Sequence, residues 1–248
     1  MAMLTSETTQ SGQNTPQTSA RLRRPGLYAL IFGVITAVVT LAAVALAAVA
    51  PSLEPNASAA IPAGWSQVYN GDLTKSVDQW DTQHGCSNSF GGLFAQGDSQ
   101  NGRVCQFQPS ASGSVTGQGF AITASIAPAS QTDLQEIPII AIGNTASALV
   151  SFNQQGAYVV CDGTCDPSAG DGLYIKGTTA AWHTDPYVPN TITVRLDADG
   201  TTLTVYANGE QIASGRVRVD SDPQVAIGAD ANAQALFTHV TIYSGSGA

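Results

Sequence analysis

Charge is what this sequence has least of: Asp, Glu, Lys and Arg make up 11% of its 248 residues, against roughly 25% in ordinary soluble proteins. Lys and Glu, which normally coat the outer faces of helices, fall to two each after residue 60. That scarcity argues against a helix bundle. Basic charge is thinner still, with six Lys and Arg against sixteen Asp and Glu beyond residue 60, a net of −10. Such a surface repels phosphate backbones and anionic headgroups, so nucleic acid is excluded as a partner. Only three histidines occur, His84, His183 and His239. No Gly-x-Ser-x-Gly elbow is present, and no internal repeat points to a propeller or solenoid.

What is abundant lies at the two ends of the polarity scale. Residues 27–50 run without a charge, and at about 1.5 Å per residue this length crosses a bilayer with some tilt. Arg21, Arg23 and Arg24 precede the run and no basic residue follows before Lys75. The positive-inside rule therefore predicts a transmembrane helix with its N-terminus in the cytosol and everything C-terminal to it outside. Residues 1–26 are then a polar, disordered cytosolic tail, 51–60 a linker, and 61–248 an extracytoplasmic domain. Ala57-Ser58-Ala59-Ala60 also offers a site for a signal peptidase, and cleavage after Ala59 would release the domain as a secreted protein.

The domain is rich in Val and Ile, 14 and 12 beyond residue 60 against 8 Leu, and in Gly, the composition of a loop-rich β protein. Thr191 to Asp197 alternates polar and apolar, Asp197 to Thr201 supplies a turn, and Thr202 to Ala207 alternates again. Asn208-Gly209 is the dipeptide favoured in a type I′ hairpin turn, and Glu210 to Ser214 starts the return. Arg216 to Asp220, Val225 to Ile227 and Ala235 to Tyr243 read as further strands, so the last sixty residues are predicted to form a meander. Upstream, apolar segments at 104–107, 119–126, 137–142, 148–152, 158–161 and 173–176 complete a dozen short strands. This pattern predicts an all-β, antiparallel two-sheet sandwich.

All four cysteines, Cys86, Cys105, Cys161 and Cys165, fall on the exported side, where disulfides persist. Three pairings are possible. Closeness along the chain favours Cys86 with Cys105 and Cys161 with Cys165. The competing use as zinc ligands lacks a partnering pair of histidines.

The stretch Asn190 to Ala213, followed by Val225-Ala-Ile-Gly228 and Ala235-Leu-Phe-Thr-His-Val-Thr-Ile-Tyr243, resembles the closing strands of concanavalin A-like lectin/glucanase domains. Trp65-Ser-Gln-Val-Tyr-Asn-Gly-Asp72 with Trp80 is similar to the opening of laminarin-binding and keto-disaccharide-hydrolase members of that group. The resemblance implies a jelly-roll sandwich of the concanavalin A or laminin-G type. The glucanases it includes carry Glu-x-Asp-x-x-Glu on one strand, because retaining hydrolysis needs two carboxyl groups about 5 to 5.5 Å apart. No such strand exists here, where Glu136 and Glu210 are the only glutamates of the domain. Laminin-G-like relatives hold calcium with loop aspartates, which makes Asp162, Asp166 and Asp171 weak calcium candidates; ordinary turn chemistry is the favoured account of them, and no cofactor is expected.

The loop Gly177 to Asn190 brings Trp182, His183, Asp185 and Tyr187 into one polar segment. Aromatic faces stack on pyranose rings while Asp and His fix hydroxyls, so these four are the candidate carbohydrate-binding residues. The competing expectation is that Trp182 or Tyr187 folds back to cap the core. Taken together, the sequence predicts a membrane-anchored, non-catalytic, lectin-like domain whose partner is an envelope or extracellular glycan. Two alternatives are a protein-interaction or envelope-structural module and a glycoside or keto-disaccharide hydrolase.

Overall fold

The computed structural model describes residues 60–108, 119–127, 135–143, 148–162, 165, 173–185, 187–217 and 224–245, all within one compact unit, Glu54–Ala248. The expected cytosolic tail, the transmembrane helix expected at 27–50, the expected cleavage site after Ala59, and the calcium candidates Asp166 and Asp171 lie outside the described residues.

Fifteen strands are described in chain order: β1 (Ser66–Asp72), β2 (Cys86–Ser89), β3 (Gly92–Gln96), β4 (Arg103–Gln106), β5 (Gly119–Ala127), β6 (Gln135–Glu136), β7 (Pro138–Ile142) and β8 (Ala148–Phe152). They continue with β9 (Ala157–Cys161), β10 (Tyr174–Thr178), β11 (Asn190–Leu196), β12 (Thr202–Ala207), β13 (Glu210–Arg216), β14 (Val225–Ala229) and β15 (Ala233–Gly245). The larger sheet runs β13-β12-β11-β5-β15-β3-β2, with β1 and β6 also paired to β15; the smaller runs β10-β9-β8-β7-β14-β4. Every pairing is antiparallel except the short one between β6 and β15. The expected antiparallel two-sheet sandwich is therefore what the chain forms.

Alternation along the strands builds the core. Ile122, Ala124, Ile192, Val194, Leu203, Val205, Val240 and Ile242 turn inward from the larger sheet to meet Ile140, Ile142, Val150, Phe152, Val160 and Ile227 from the smaller, and all are essentially inaccessible. On the opposite face of the larger sheet the same alternation leaves threonines, with Thr123 and Thr193 hydroxyls 3.0 Å apart on neighbouring strands.

The expected C-terminal meander holds for β11, β12 and β13 and then stops. β14 crosses to the smaller sheet, between β7 and β4, and β15 returns to the larger sheet beside β5. The reason is burial: all five residues of β14 are buried, so this strand is satisfied only with a neighbour on each edge and packing on both faces.

Each lateral side of the sandwich is closed by a tie between sheets. On one side Cys86 of β2 is bonded to Cys105 of β4. Next to it Tyr69, Trp80 and Phe107 form an aromatic cluster, and the Trp80 indole N–H donates to the Tyr69 hydroxyl at 3.0 Å. Burial of that tyrosine raises its pKa. On the other side the Tyr158 hydroxyl donates to the Ile212 carbonyl at 3.0 Å. Cys161 and Cys165 are bonded to each other, so both pairings favoured by chain proximity are present.

The chain enters the domain beside the β11–β12 turn. Arg195 donates from Nη1 to the Ala60 carbonyl at 3.0 Å and from Nε to Asp197 at 2.7 Å, with its guanidinium 5.6 Å from the Tyr206 ring centre. The Trp65 ring lies close to Gly119 and Gly245, at the same end of the strands.

Candidate functional site

The segment between β10 and β11 sits at the opposite end, where β11 begins. Two asparagines organise it. Asn190, at the start of β11, accepts the His183 backbone N–H at 2.8 Å and donates back to the His183 carbonyl at 2.9 Å. Asn208, the first residue of the β12–β13 turn, donates to the Ala181 carbonyl at 2.7 Å and to Asn190 Oδ1 at 2.8 Å, while its own Oδ1 accepts from the Thr191 N–H at 2.7 Å. These mutual hydrogen bonds tie Ala181 and His183 to the start of β11 and to the β12–β13 turn.

The four candidate residues separate within it. Trp182 is 5% exposed and stacks on Phe152, with ring centres 4.5 Å apart and planes 11° from parallel. Its face is therefore occupied by the core, and of the two expectations for this ring the capping one describes its placement. Gly156 allows the approach: a side chain there would meet the Thr179 carbonyl at 2.8 Å and Trp182 Cβ at 2.9 Å, and its φ is +76°.

Tyr187 is the reverse case, 87% exposed. Its backbone is fixed by the Asp185 carboxylate, which accepts the Tyr187 N–H at 2.9 Å, and by the Val188 N–H donating to the Asp185 carbonyl at 3.1 Å. His183 is exposed, with Nδ1 3.1 Å from the Pro189 carbonyl. The structure thus brings His183, Asp185 and Tyr187 to one solvent-facing loop and assigns Trp182 to its foundation. Asn190 and Asn208 escaped the sequence reading as site organisers. Asn208 was legible only as a turn former, although a polar side chain next to a rigid turn is well placed to reach a neighbouring loop.

Other candidates do not converge. Glu136 lies in β6, paired with β15, and Glu210 opens β13 at the far edge of the same sheet. β6 lies in line with β5 along one edge of β15, so three strand spacings of about 4.8 Å put at least roughly 14 Å between those backbones, too far for a retaining carboxylate pair. Among the described residues no three His, Cys, Asp or Glu side chains group to hold a metal ion. The Asp162 N–H donates to the Leu173 carbonyl at 2.8 Å, continuing the β9–β10 ladder.

No family model matches the chain, and no curated protein does. Among solved structures, similarity extends to sheep galectin-11 in complex with glycerol (12% identity, 57% of this chain and 97% of that one, TM-score 0.39). It extends also to the carbohydrate-binding module CBM66 from Bacillus subtilis (10% identity, 73% and 92%, TM-score 0.40). A third is a carbohydrate esterase from the Shiga toxin-encoding bacteriophage phi24B (12% identity, 74% and 100%, TM-score 0.45). At such scores and identities no function transfers from these proteins.

Proposed function

We propose that this chain displays a non-catalytic glycan-binding β-sandwich outside the membrane in which residues 27–50 anchor it, and that binding needs no cofactor. The observation that carries the reading is Tyr187, a large aromatic ring almost wholly in water whose backbone N–H is held by the Asp185 carboxylate. An exposed ring on a mobile loop pays an ordering cost on binding, and the hydrogen bond from the Tyr187 N–H to Asp185 reduces that cost. Its face stacks on the apolar C–H face of a pyranose, and His183 and Asp185 supply a donor and an acceptor for ring hydroxyls. The net charge of −10 favours neutral over acidic sugars.

The test is a glycan array probed with the full-length protein and its Tyr187→Ala variant, with and without a calcium chelator. Loss of about tenfold in affinity in the variant, unaffected by chelation, is the expected result. Binding by the variant equal to that of the wild type overturns the assignment of this loop. Silence from a folded, oxidised wild-type protein overturns the glycan reading in favour of a protein-interaction role.

A further inference from the structure

Five non-glycine residues adopt positive φ among the described residues: His84, Phe90, Cys165, Asn208 and Asn232. Asparagine tolerates this region, and Cys165 closes a five-residue disulfide ring. Histidine is also among the residues found there, which leaves Phe90 without such a reason; His84 lines an open groove, and Phe90 packs on Phe94 in the wall of that groove.

Phe90 shows the anomaly most clearly because the protein contains its own control. The β12–β13 hairpin turns through Asn208-Gly209 with φ of +48° and +84°; the β2–β3 hairpin turns through Phe90-Gly91 with φ of +56° and +79°. Both are two-residue loops of the same kind, for which Asn-Gly is the low-strain choice. Phenylalanine at the first position is strained, and its ring is 74% exposed, so it gains little from burial to offset that strain. Strain retained at an exposed position is the mark of a side chain kept for contact.

What lies beside it defines the contact. Phe90 packs edge-on against Phe94, ring centres 5.0 Å apart at 67°. Phe94 faces an open groove of about 460 Å³ whose other walls are His84, Ser87, Gln96, Asp98 and Arg103. The Ser87 hydroxyl lies 3.0 Å from that of Ser89, and Gln96 is exposed. The Cys86–Cys105 disulfide bonds the two edge strands beneath, so the groove is rigid. Its one guanidinium is paired with the Asp98 carboxylate, which leaves the groove without an excess of positive charge for an anionic ligand.

We propose that this groove is a second ligand site, distinct from the Tyr187 loop, which takes a neutral saccharide of one or two rings. A sugar presents both features the site requires: an apolar C–H face for Phe94 and the Phe90 ring packed beside it, and uncharged hydroxyls for Ser87, Gln96 and His84. The volume lies within the range of small-ligand sites, roughly 300–1,000 Å³. Charge excludes acidic sugars twice over, through the −10 of the domain and the pairing of Arg103.

The experiment titrates the full-length protein with neutral mono- and disaccharides by isothermal calorimetry, beside Phe90→Asn, Gln96→Ala and Tyr187→Ala variants. Phe90→Asn restores the favoured turn, so its melting temperature should rise by roughly 2–4 °C, while affinity falls tenfold or more; Gln96→Ala should weaken binding without moving the melting temperature. That opposition of stability and affinity separates a ligand contact from a structural role. Phe90→Asn and Gln96→Ala variants that bind as the wild type does, with Tyr187→Ala alone defective, overturn this site and leave the loop reading intact. The reverse pattern supports the groove and overturns the loop. No binding by the wild-type protein overturns both.

Discussion

Trp182→Ala is the substitution that best tests how the aromatic loop is built. If the indole were a ligand platform, removing it would cost affinity and leave the fold untouched. The structure instead places it at 5% exposure, in face-to-face contact with Phe152 at 4.5 Å and against Gly156. Truncating a buried tryptophan to alanine costs about 3–5 kcal/mol through lost transfer energy and the cavity left behind, and the stacked pair sits at the upper end of that range because aromatic pairs add about 0.5–1.5 kcal/mol beyond area. For a domain of this size each kcal/mol lowers the melting temperature by about 2–4 °C, so the variant should melt roughly 6–20 °C below the wild type. Tyr187→Ala, at 87% exposure, should stay within about 0.5 kcal/mol. Urea unfolding of the oxidised full-length protein, followed by tryptophan fluorescence and far-ultraviolet circular dichroism, measures both. A Trp182→Ala variant within 1 kcal/mol of the wild type would refute the reasoning, since no truncation of a core ring is that mild.

The two disulfides should differ in worth. Cys86 and Cys105 are 19 positions apart and Cys161 and Cys165 are 4 apart, so loop-closure entropy gives about 3 kcal/mol for the first and about 2 kcal/mol for the second. Double Cys→Ala variants compared by denaturant titration should reproduce that order, and equal losses would contradict it. Gly156→Ala should destabilise by at least about 1–2 kcal/mol from left-handed backbone strain, more once the Thr179 carbonyl and Trp182 are displaced; an unchanged melting temperature would show the turn to be free. Asp199 accepts the Thr201 N–H, the Thr202 hydroxyl and the Thr202 N–H, which hold its pKa down to about 2. A depressed carboxylate pKa stabilises the fold above the usual value near 4 and loses that contribution as pH falls toward about 2. Carbon-detected NMR titration should place its midpoint near 2, and a midpoint near 4 would dismiss the turn hydrogen bonds.

The sandwich was legible where local chemistry is strong. Asn208-Gly209 and the alternation of Thr191 to Ala207 name three strands and their register without reference to the rest of the chain. β2 and β3 were not legible, because Cys86–Ser89 is short and polar and Phe90-Gly91 does not carry the usual turn residues. The crossing of β14 to the other sheet was likewise hidden: Val225–Ala229 reads as a strand in either sheet, and only the burial of both its faces chooses between them. At the candidate site the sequence found the right loop and could not sort its rings. Trp182 and Tyr187 are five residues apart in the same polar segment, and what separates them is non-local, Phe152 beneath one ring and open water over the other.

The position of Ala60 has a mechanical consequence. Its carbonyl is clasped by Arg195 near the end of β11, while the loop bearing Tyr187 leads into the beginning of the same strand. A tether holding the chain at Ala60 would draw on β1, the strand that follows it, and a ligand holding Tyr187 would draw from the other end of the sheet on β11. That strand lies between β5 and β12 with ladders on both edges. Tension so applied acts across many hydrogen bonds together, in shear, instead of opening them singly from one end. A domain strung in this way bears load with its strongest grain.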